Sequence, residues 1–94
     1  DLIIINLNTI KSKSIKEKNI KNEIVKYQIS INVGVKIYTM TNKNIKNFNV
    51  NQNGDYNVAN QHSQTIDNEK KLIELLSESL ADNILEELIF RFYD

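Results

Sequence analysis

The sequence of 94 residues has no cysteine and no proline, and it has only one histidine and two glycines. Without cysteine, disulfides, thiolate nucleophiles and zinc–thiolate sites are excluded together. One histidine without any cysteine also argues against a transition-metal site. Gly34 and Gly54 stand alone and make no phosphate-binding loop. We therefore predict no metal and no cofactor.

Long apolar runs are also lacking. No run reaches the roughly 18 residues that a membrane-spanning helix needs. The chain starts at Asp1 without an initiator methionine or a signal peptide. We expect it to be a single domain, residues 1–94, cut from a longer precursor.

The candidate catalytic residues do not form a convincing constellation. His62 has Ser63 beside it and Asp67 nearby, but triad members converge in a rigid cleft and adjacent loop residues do not. We predict a surface histidine. The acidic residues that recur along the predicted helix favour a solvated face over a general acid/base pair. They are Glu74, Glu78, Asp82 and Glu86. No enzymatic activity is expected.

Charge is balanced in total but not along the chain. Residues 1–60 carry nine lysines against four acids, and residues 61–94 carry three basic residues against eight acids. This indicates either a basic sheet beside an acidic helix or a basic surface for an anionic ligand. Nucleic acid is not the predicted ligand, because the sheet has no arginine and lacks the aromatic signature of RNA-binding sheets. The fifteen isoleucines and fifteen asparagines are interpreted as codon bias.

The sharpest pattern is an alternation of apolar and polar residues between Val25 and Met40. It predicts a strand over residues 24–41 with one buried face, and Gly34 is the natural place for a bend or bulge. A turn is predicted at residues 41–44. The run over residues 45–60 is either one bulged strand or a hairpin at Asn53-Gly54. The apolar residues from Phe48 to Val58 stay at even-numbered positions on both sides of Asn53-Gly54, which favours one strand.

The remaining segments complete an α+β fold. Residues 2–10 read as a first strand, and residues 11–22 as a hairpin loop, the flaring ends of two long strands, or a short helix. Apolar residues at spacings of three and four predict a helix over residues 66–92, with Thr65 or Asp67 as its cap. Leu75, Ala81, Leu85 and Ile89 widen this apolar stripe and predict burial around much of the helix. The order predicts an antiparallel meander of three long strands with the helix across one face.

Three stretches together resemble the LPS-assembly lipoprotein (LptE) family. They are Tyr27-Gln28-Ile29-Ser30-Ile31, Asp55-Tyr56-Asn57-Val58-Ala59-Asn60 and Leu80-Ala81-Asp82-Asn83-Ile84-Leu85-Glu86-Glu87-Leu88. The resemblance covers roughly residues 24–90. It implies a periplasmic lipoprotein on the inner leaflet of the outer membrane. Such a protein binds lipopolysaccharide and plugs a β-barrel translocon (LptD-like).

The family domain also has a lipidated cysteine, a first strand and a first helix that this sequence does not contain. Their absence would leave part of the sheet uncovered, and a homodimer through that surface would be one remedy. On physical grounds Lys36, Lys43 and Lys46 are the candidate ligands for lipid A phosphates or acidic core sugars. The other interpretation, which their position near a strand end favours, is that they are solubilising edge lysines. The alternatives are an auxiliary lipoprotein of an ABC-type lipid-transport system and a generic α+β protein-interaction domain.

Overall fold

Three antiparallel strands and one long helix form the chain in the computed structural model, which describes residues 2–41 and 46–92. The strands are β1 (Ile3–Lys18), β2 (Ile24–Thr39) and β3 (Lys46–Asn57), and the helix is α1 (His62–Phe92). The sheet order is β1-β2-β3, and each neighbouring pair is antiparallel. The predicted α+β fold, a three-stranded meander followed by a C-terminal helix, is confirmed.

The first strand is longer than the hairpin-loop interpretation allowed, whereas β2 begins at the predicted Ile24. β1 continues to Lys18, so the flaring ends of two long strands are the correct interpretation of this region. The turn is organised by Asn19, whose Oδ1 accepts hydrogen bonds from the backbone N–H groups of Lys21 and Glu23 at 2.9 and 3.0 Å. Asn22 takes the positive φ of 66° that such a turn needs.

The predicted irregularity at Gly34 is wrong. Gly34 pairs regularly with Asn8 on one side and Asn49 on the other. The register shifts lie instead between Ile15 and Lys18, close to the β1–β2 turn. Gly34 therefore removes a side chain from a regular strand and does not bend it.

The Asn53-Gly54 pair lies inside β3 and forms no turn. Asn53 pairs with Ser30 and Gly54 with Ile29 without a register shift, so the single-strand interpretation is confirmed but the bulge is not. The strand ends at Asn57, three residues before its predicted end. Of the predicted turn at residues 41–44, only Thr41 lies within the described residues.

The helix begins at His62, four residues earlier than predicted. In its first turn, the backbone N–H groups of Gln64 and Thr65 donate to the carbonyl of Gln61 at 3.1 and 3.2 Å. The predicted cap at Thr65 or Asp67 is therefore wrong. Thr65 Oγ1 instead accepts a hydrogen bond from the Ala59 N–H at 2.8 Å, which fastens the preceding link to the helix. The first turn has no apolar residue, so the apolar period could not reveal it.

The core lies between α1 and the β3 side of the sheet. The helix packs mainly on β3 and less on β2. Gly54 allows this close approach, since a Cβ there would lie 2.5 Å from Leu72 Cδ1. The buried residues are Ile29, Ile31, Val33, Val35, Ile37, Phe48, Val50, Tyr56, Leu76 and Leu80.

The helix leaves β1 and its own second stripe uncovered. Leu75, Leu85 and Ile89 are 62%, 59% and 52% exposed, so the predicted burial around much of the helix is wrong. Ile5 and Leu7 of β1 face the helix side of the sheet but are 46% and 58% exposed. A single helix of about 10 Å diameter cannot cover three strands spaced about 4.8 Å apart together with their side chains.

Candidate ligand-binding surface

The three lysines predicted to bind an anionic ligand do not share one surface. Lys36 of β2 is paired with Asn47 of β3 on the sheet face away from the helix. Lys46 is paired with Ile37, a core residue, and therefore lies on the helix side. Lys43 lies outside the described residues. Only Lys36 can be placed in a surface whose neighbours are fully described.

A depression surrounds Lys36 on the face away from the helix, and we call it the polar trough. Two neighbouring cross-strand rows line it: Asn6, Lys36 and Asn47 form one, and Asn8, Gly34 and Asn49 form the other. Residues two apart in a strand face the same side, so all six belong to one face. The volume of the trough is about 530 Å³.

Gly34 is the floor of the polar trough. A Cβ at this position would lie 3.2 Å from Asn49 Oδ1 and 3.8 Å from the Asn8 carbonyl oxygen. Its φ is not positive, so the backbone here does not require glycine. What the glycine provides is space, because any side chain would fill the gap between the flanking asparagines.

The side chains of the polar trough suit a ligand rich in hydroxyl and phosphate oxygens. Each asparagine amide offers two N–H donors and a carbonyl acceptor, and the exposed Lys36 adds a positive charge with three donors. Tyr38 extends the surface, since its hydroxyl accepts a hydrogen bond from Asn6 Nδ2 at 3.4 Å. Charge-assisted bonds from a lysine to phosphate are the strongest contacts that such a surface can make.

Lys36 is a candidate from the sequence, whereas the asparagines around it are not. Their number was ascribed to codon bias, which hid their distribution. Their distribution could have been recognised from β3, where the asparagines occupy odd-numbered positions and therefore face away from the helix. The asparagines on that face of β3 are Asn47, Asn49, Asn51, Asn53 and Asn57.

A second cluster, which we call the tyrosine–lysine cluster, lies on the helix side of the sheet. The Tyr27 and Tyr56 rings stack with centroids 5.6 Å apart, and Lys13 Nζ lies 4.4 and 5.5 Å from those centroids. Glu69 Oε2 accepts a hydrogen bond from the Tyr56 hydroxyl at 3.2 Å and lies 3.5 Å from Lys13 Nζ. The cluster joins one residue from each of β1, β2, β3 and α1.

The electrostatics of this cluster favour the charged lysine. The hydrogen bond with the Tyr56 hydroxyl is the main cause that raises the pKa of Lys13, and Glu69 adds to it. A hollow of about 340 Å³ lies beside the cluster, and His62 is on its rim. His62 is exposed, as predicted for a surface histidine, although it begins the helix rather than lying in a link. These contacts connect the three strands and the helix to one another.

Within residues 2–41 and 46–92, no three His, Cys, Asp or Glu side chains are close enough to hold a metal ion. In the same part of the chain, no helix has the length and apolar character needed to cross a membrane. Comparison with protein-family profiles, with curated protein sequences and with solved structures finds no match to this chain.

Proposed function

We propose that this chain is the sheet-and-helix part of an LPS-assembly lipoprotein of the LptE kind. Such a protein is a non-enzymatic factor that binds lipopolysaccharide and occupies the lumen of an outer-membrane β-barrel translocon. It acts in the periplasm, at the inner leaflet of the outer membrane, and its lipid anchor would lie upstream of this sequence.

The observation that supports this function best is the position of the three resembling stretches in the fold. Residues 27–31 lie in β2, residues 55–60 cover the end of β3 and the start of the link to the helix, and residues 80–88 lie in α1. The last stretch includes Leu80, which is in the core, and Ile84 and Leu88, which pack against it. The resemblance requires two long strands followed by a helix across one sheet face. The chain has this order and these lengths.

The dimensions of the molecule agree with a plug. Its extents are 59 × 21 × 19 Å, so it is a rod with a nearly square cross-section. Large outer-membrane barrels are wide enough to hold a folded domain in the lumen. A rod of this width can enter lengthwise and present its polar sheet face and its helix to opposite walls.

The polar trough is the part of the surface that we assign to lipopolysaccharide. Lys36 would bind a lipid A phosphate or an acidic core sugar, and the flanking asparagines would bind sugar hydroxyls. The ligand would lie across β2, with Gly34 allowing a ring to approach the backbone. Lys46 would then contribute little, because it lies on the other face of the sheet.

The test is a binding titration of the purified chain with fluorescent lipopolysaccharide. Lys36→Glu and Gly34→Val should each weaken binding about tenfold or more, since one reverses the charge and the other fills the trough. The effect of Lys36→Glu should shrink at high salt, because the contact is ionic. Lys71→Glu is the matched control, because Lys71 is an exposed lysine of α1 away from the sheet.

Four further arms make the outcome decisive. Competition by lipid A alone, by core oligosaccharide alone and by inorganic phosphate identifies which part of the ligand the trough recognises. Lys46→Glu tests the helix side separately. If Lys36→Glu and Gly34→Val bind like the parent chain, the trough is not the site. If the parent chain does not bind lipopolysaccharide at all, the proposed function is wrong.

Co-purification separates the barrel partner from the alternative transport system. Expressed in a Gram-negative periplasm with a tag, the chain should retain a large outer-membrane barrel. Retention of an ABC permease or its substrate-binding protein instead would favour the auxiliary lipoprotein.

A further inference from the structure

An apolar groove runs along the helix side of the sheet between α1 and β1. Its volume is about 330 Å³. Leu7 and Thr9 form its β1 wall, and Ile73, Leu80 and Ile84 form its helix wall. The groove is separate from the polar trough, which lies on the opposite face of the sheet.

The uncovered strip of β1 changes character along its length. On the helix side, its beginning is apolar at Ile5 and Leu7, and its later part is basic at Lys11 and Lys13. Lys11 is exposed and forms no ion pair with any other described residue. The strip therefore offers an apolar half and a basic half to whatever covers it.

The outer row of α1 changes character in the complementary way. Glu74 and Glu78 are exposed in its first half, and neither is in an ion pair with another residue of the described chain. Leu85 and Ile89 are exposed in its second half. The first half of this row, from Glu74 to Asp82, is therefore acidic, and the second half has the apolar Leu85 and Ile89, with the exposed Glu86 beside them.

The two patterns are aligned with each other along the strand direction, and we call a position along that direction a height. Lys13, Ile29 and Gly54 form one cross-strand row, and Leu72 and Leu76 of the helix lie over Gly54. Leu7, Val35 and Phe48 form another row, and the Arg91 guanidinium lies 4.9 Å from the Phe48 ring centroid. The acidic half of the helix is thus level with the basic half of β1, and the apolar halves are level with each other.

The spacing along the two elements can be compared directly. Two strand residues from Lys13 to Lys11 span about 6.6 Å, and four helix residues from Glu74 to Glu78 span about 6 Å. From Glu74 to Leu85 the helix rises about 16 Å, which is close to the distance from Lys13 to Asn8 in the strand. Glu78 therefore stands at the height of Lys11, and Leu85 stands near that of Leu7.

We propose that the chain forms a face-to-face dimer in which the helix of each copy lies over β1 of the other. The twofold axis runs parallel to the strands. A rotation about such an axis leaves heights along the strands unchanged, so it places Glu78 of one copy against Lys11 of the other. It places Leu85 against Leu7 in the same step. The two helices lie side by side between two outer sheets, and each fills the groove of the other copy.

A second copy fits this surface because the two halves of the match occur on the same chain. An isologous interface needs a self-complementary patch, and here acid meets base and apolar meets apolar at both symmetry-related contacts. A stable dimer buries roughly 800 Å² per copy, about a ninth of the 7063 Å² accessible on one chain. In the proposed dimer this area would come from the groove and the exposed helix row, and the polar trough would stay open.

The experiment is sedimentation equilibrium of the intact chain over about 5 to 200 µM, with a micromolar dimer expected from an interface of this size. The expected mass at the upper end is twice 10.9 kDa. Lys11→Glu and Glu78→Lys should each weaken the dimer about tenfold or more, because each places like charges together at two symmetry-related contacts. The double variant Lys11→Glu/Glu78→Lys should restore it, because the pair is then reversed but still complementary.

Two matched controls, Phe90→Glu and Lys36→Glu, keep the test independent of folding and of the proposed function. Leu85→Glu should give a monomer. Phe90→Glu should not, because Phe90 is equally exposed but lies about 140° around the helix from Leu85. Lys36→Glu should leave the dimer intact while weakening lipopolysaccharide binding. A chain that stays monomeric at 200 µM, or a dimer that the double variant fails to restore, would overturn this arrangement.

Discussion

Replacing Gly54 with alanine tests how closely the helix is seated on the sheet. A Cβ at this position would stand 2.5 Å from Leu72 Cδ1 and 3.3 Å from Leu76 Cδ2. Carbon atoms normally approach to about 3.5–4.0 Å, so Leu72 must move by roughly 1 Å or the helix must lift. Overpacking of this kind costs about 1–3 kcal/mol.

Gly34→Ala is the matched control for that substitution. Gly34 is also in the sheet with a φ that is not positive, so both changes reduce the entropy of the unfolded chain equally, by about 0.4–1 kcal/mol. At Gly34 the new Cβ meets Asn49 Oδ1 at 3.2 Å, the end of an exposed side chain that can turn away. Gly34→Ala should therefore be neutral or slightly stabilising.

The difference between the two variants isolates the packing cost, because the unfolded-state contribution cancels. We expect Gly54→Ala to be less stable than Gly34→Ala by about 1–3 kcal/mol. For a domain of this size, that difference separates the two Tm values by roughly 4–24 °C. Urea and thermal unfolding followed by circular dichroism at low protein concentration measures it. Equal stabilities would mean that α1 does not rest on Gly54, and the position of the helix described above would be wrong.

Two other substitutions examine the core and the tyrosine–lysine cluster. Leu80→Ala should lower the free energy of unfolding by about 2–5 kcal/mol, because Leu80 is only 4% exposed, whereas Leu75→Ala, at a 62% exposed position, should change it by less than about 0.5 kcal/mol. Equal effects would contradict the assignment of the helix faces. Lys13→Met should lower stability at neutral pH, and its deficit against the parent chain should disappear at high pH. The pKa of Lys13 is raised above 10.5 in the folded state, so its stabilisation is complete below 10.5 and is lost as pH rises through the folded-state value. A deficit that persists unchanged at high pH would show that the charge of Lys13 does not contribute.

Elements with a long, uninterrupted period could be predicted from the sequence, and their ends could not. The alternation in β2 and the apolar spacing from Leu72 onward report burial directly. The first turn of α1 and the second half of β1 are mostly polar and exposed, so no apolar period marks them. Gln61 starts the helix through its backbone carbonyl alone, which no residue preference reveals.

The face assignments failed where tertiary packing decides them. A broad apolar stripe on α1 predicts burial on several sides, but only one sheet lies within reach of it in a single chain. Lys36 and Lys46 were grouped because they are near the same predicted turn. Their opposite faces follow only once the β2–β3 register is known. For the polar trough, the missing information was which asparagines stand next to one another across strands.

The lysines of β1 have a consequence for the solubility of the chain. β1 is an edge strand of 16 residues, and its outer backbone groups are a template on which another strand could pair. In amyloid, identical segments stack in register about 4.8 Å apart. Stacking β1 in that way would bring each lysine against its own copy, and β1 carries four: Lys11, Lys13, Lys16 and Lys18.

Like charges at that spacing repel strongly at every added layer. The strand can therefore keep a long open edge beside its exposed isoleucines without growing into fibrils. Neutralising these lysines, by acetylation for example, should convert the same edge into an aggregation site. The basic character of β1 thus protects the chain from self-templated polymerisation, whatever else binds there.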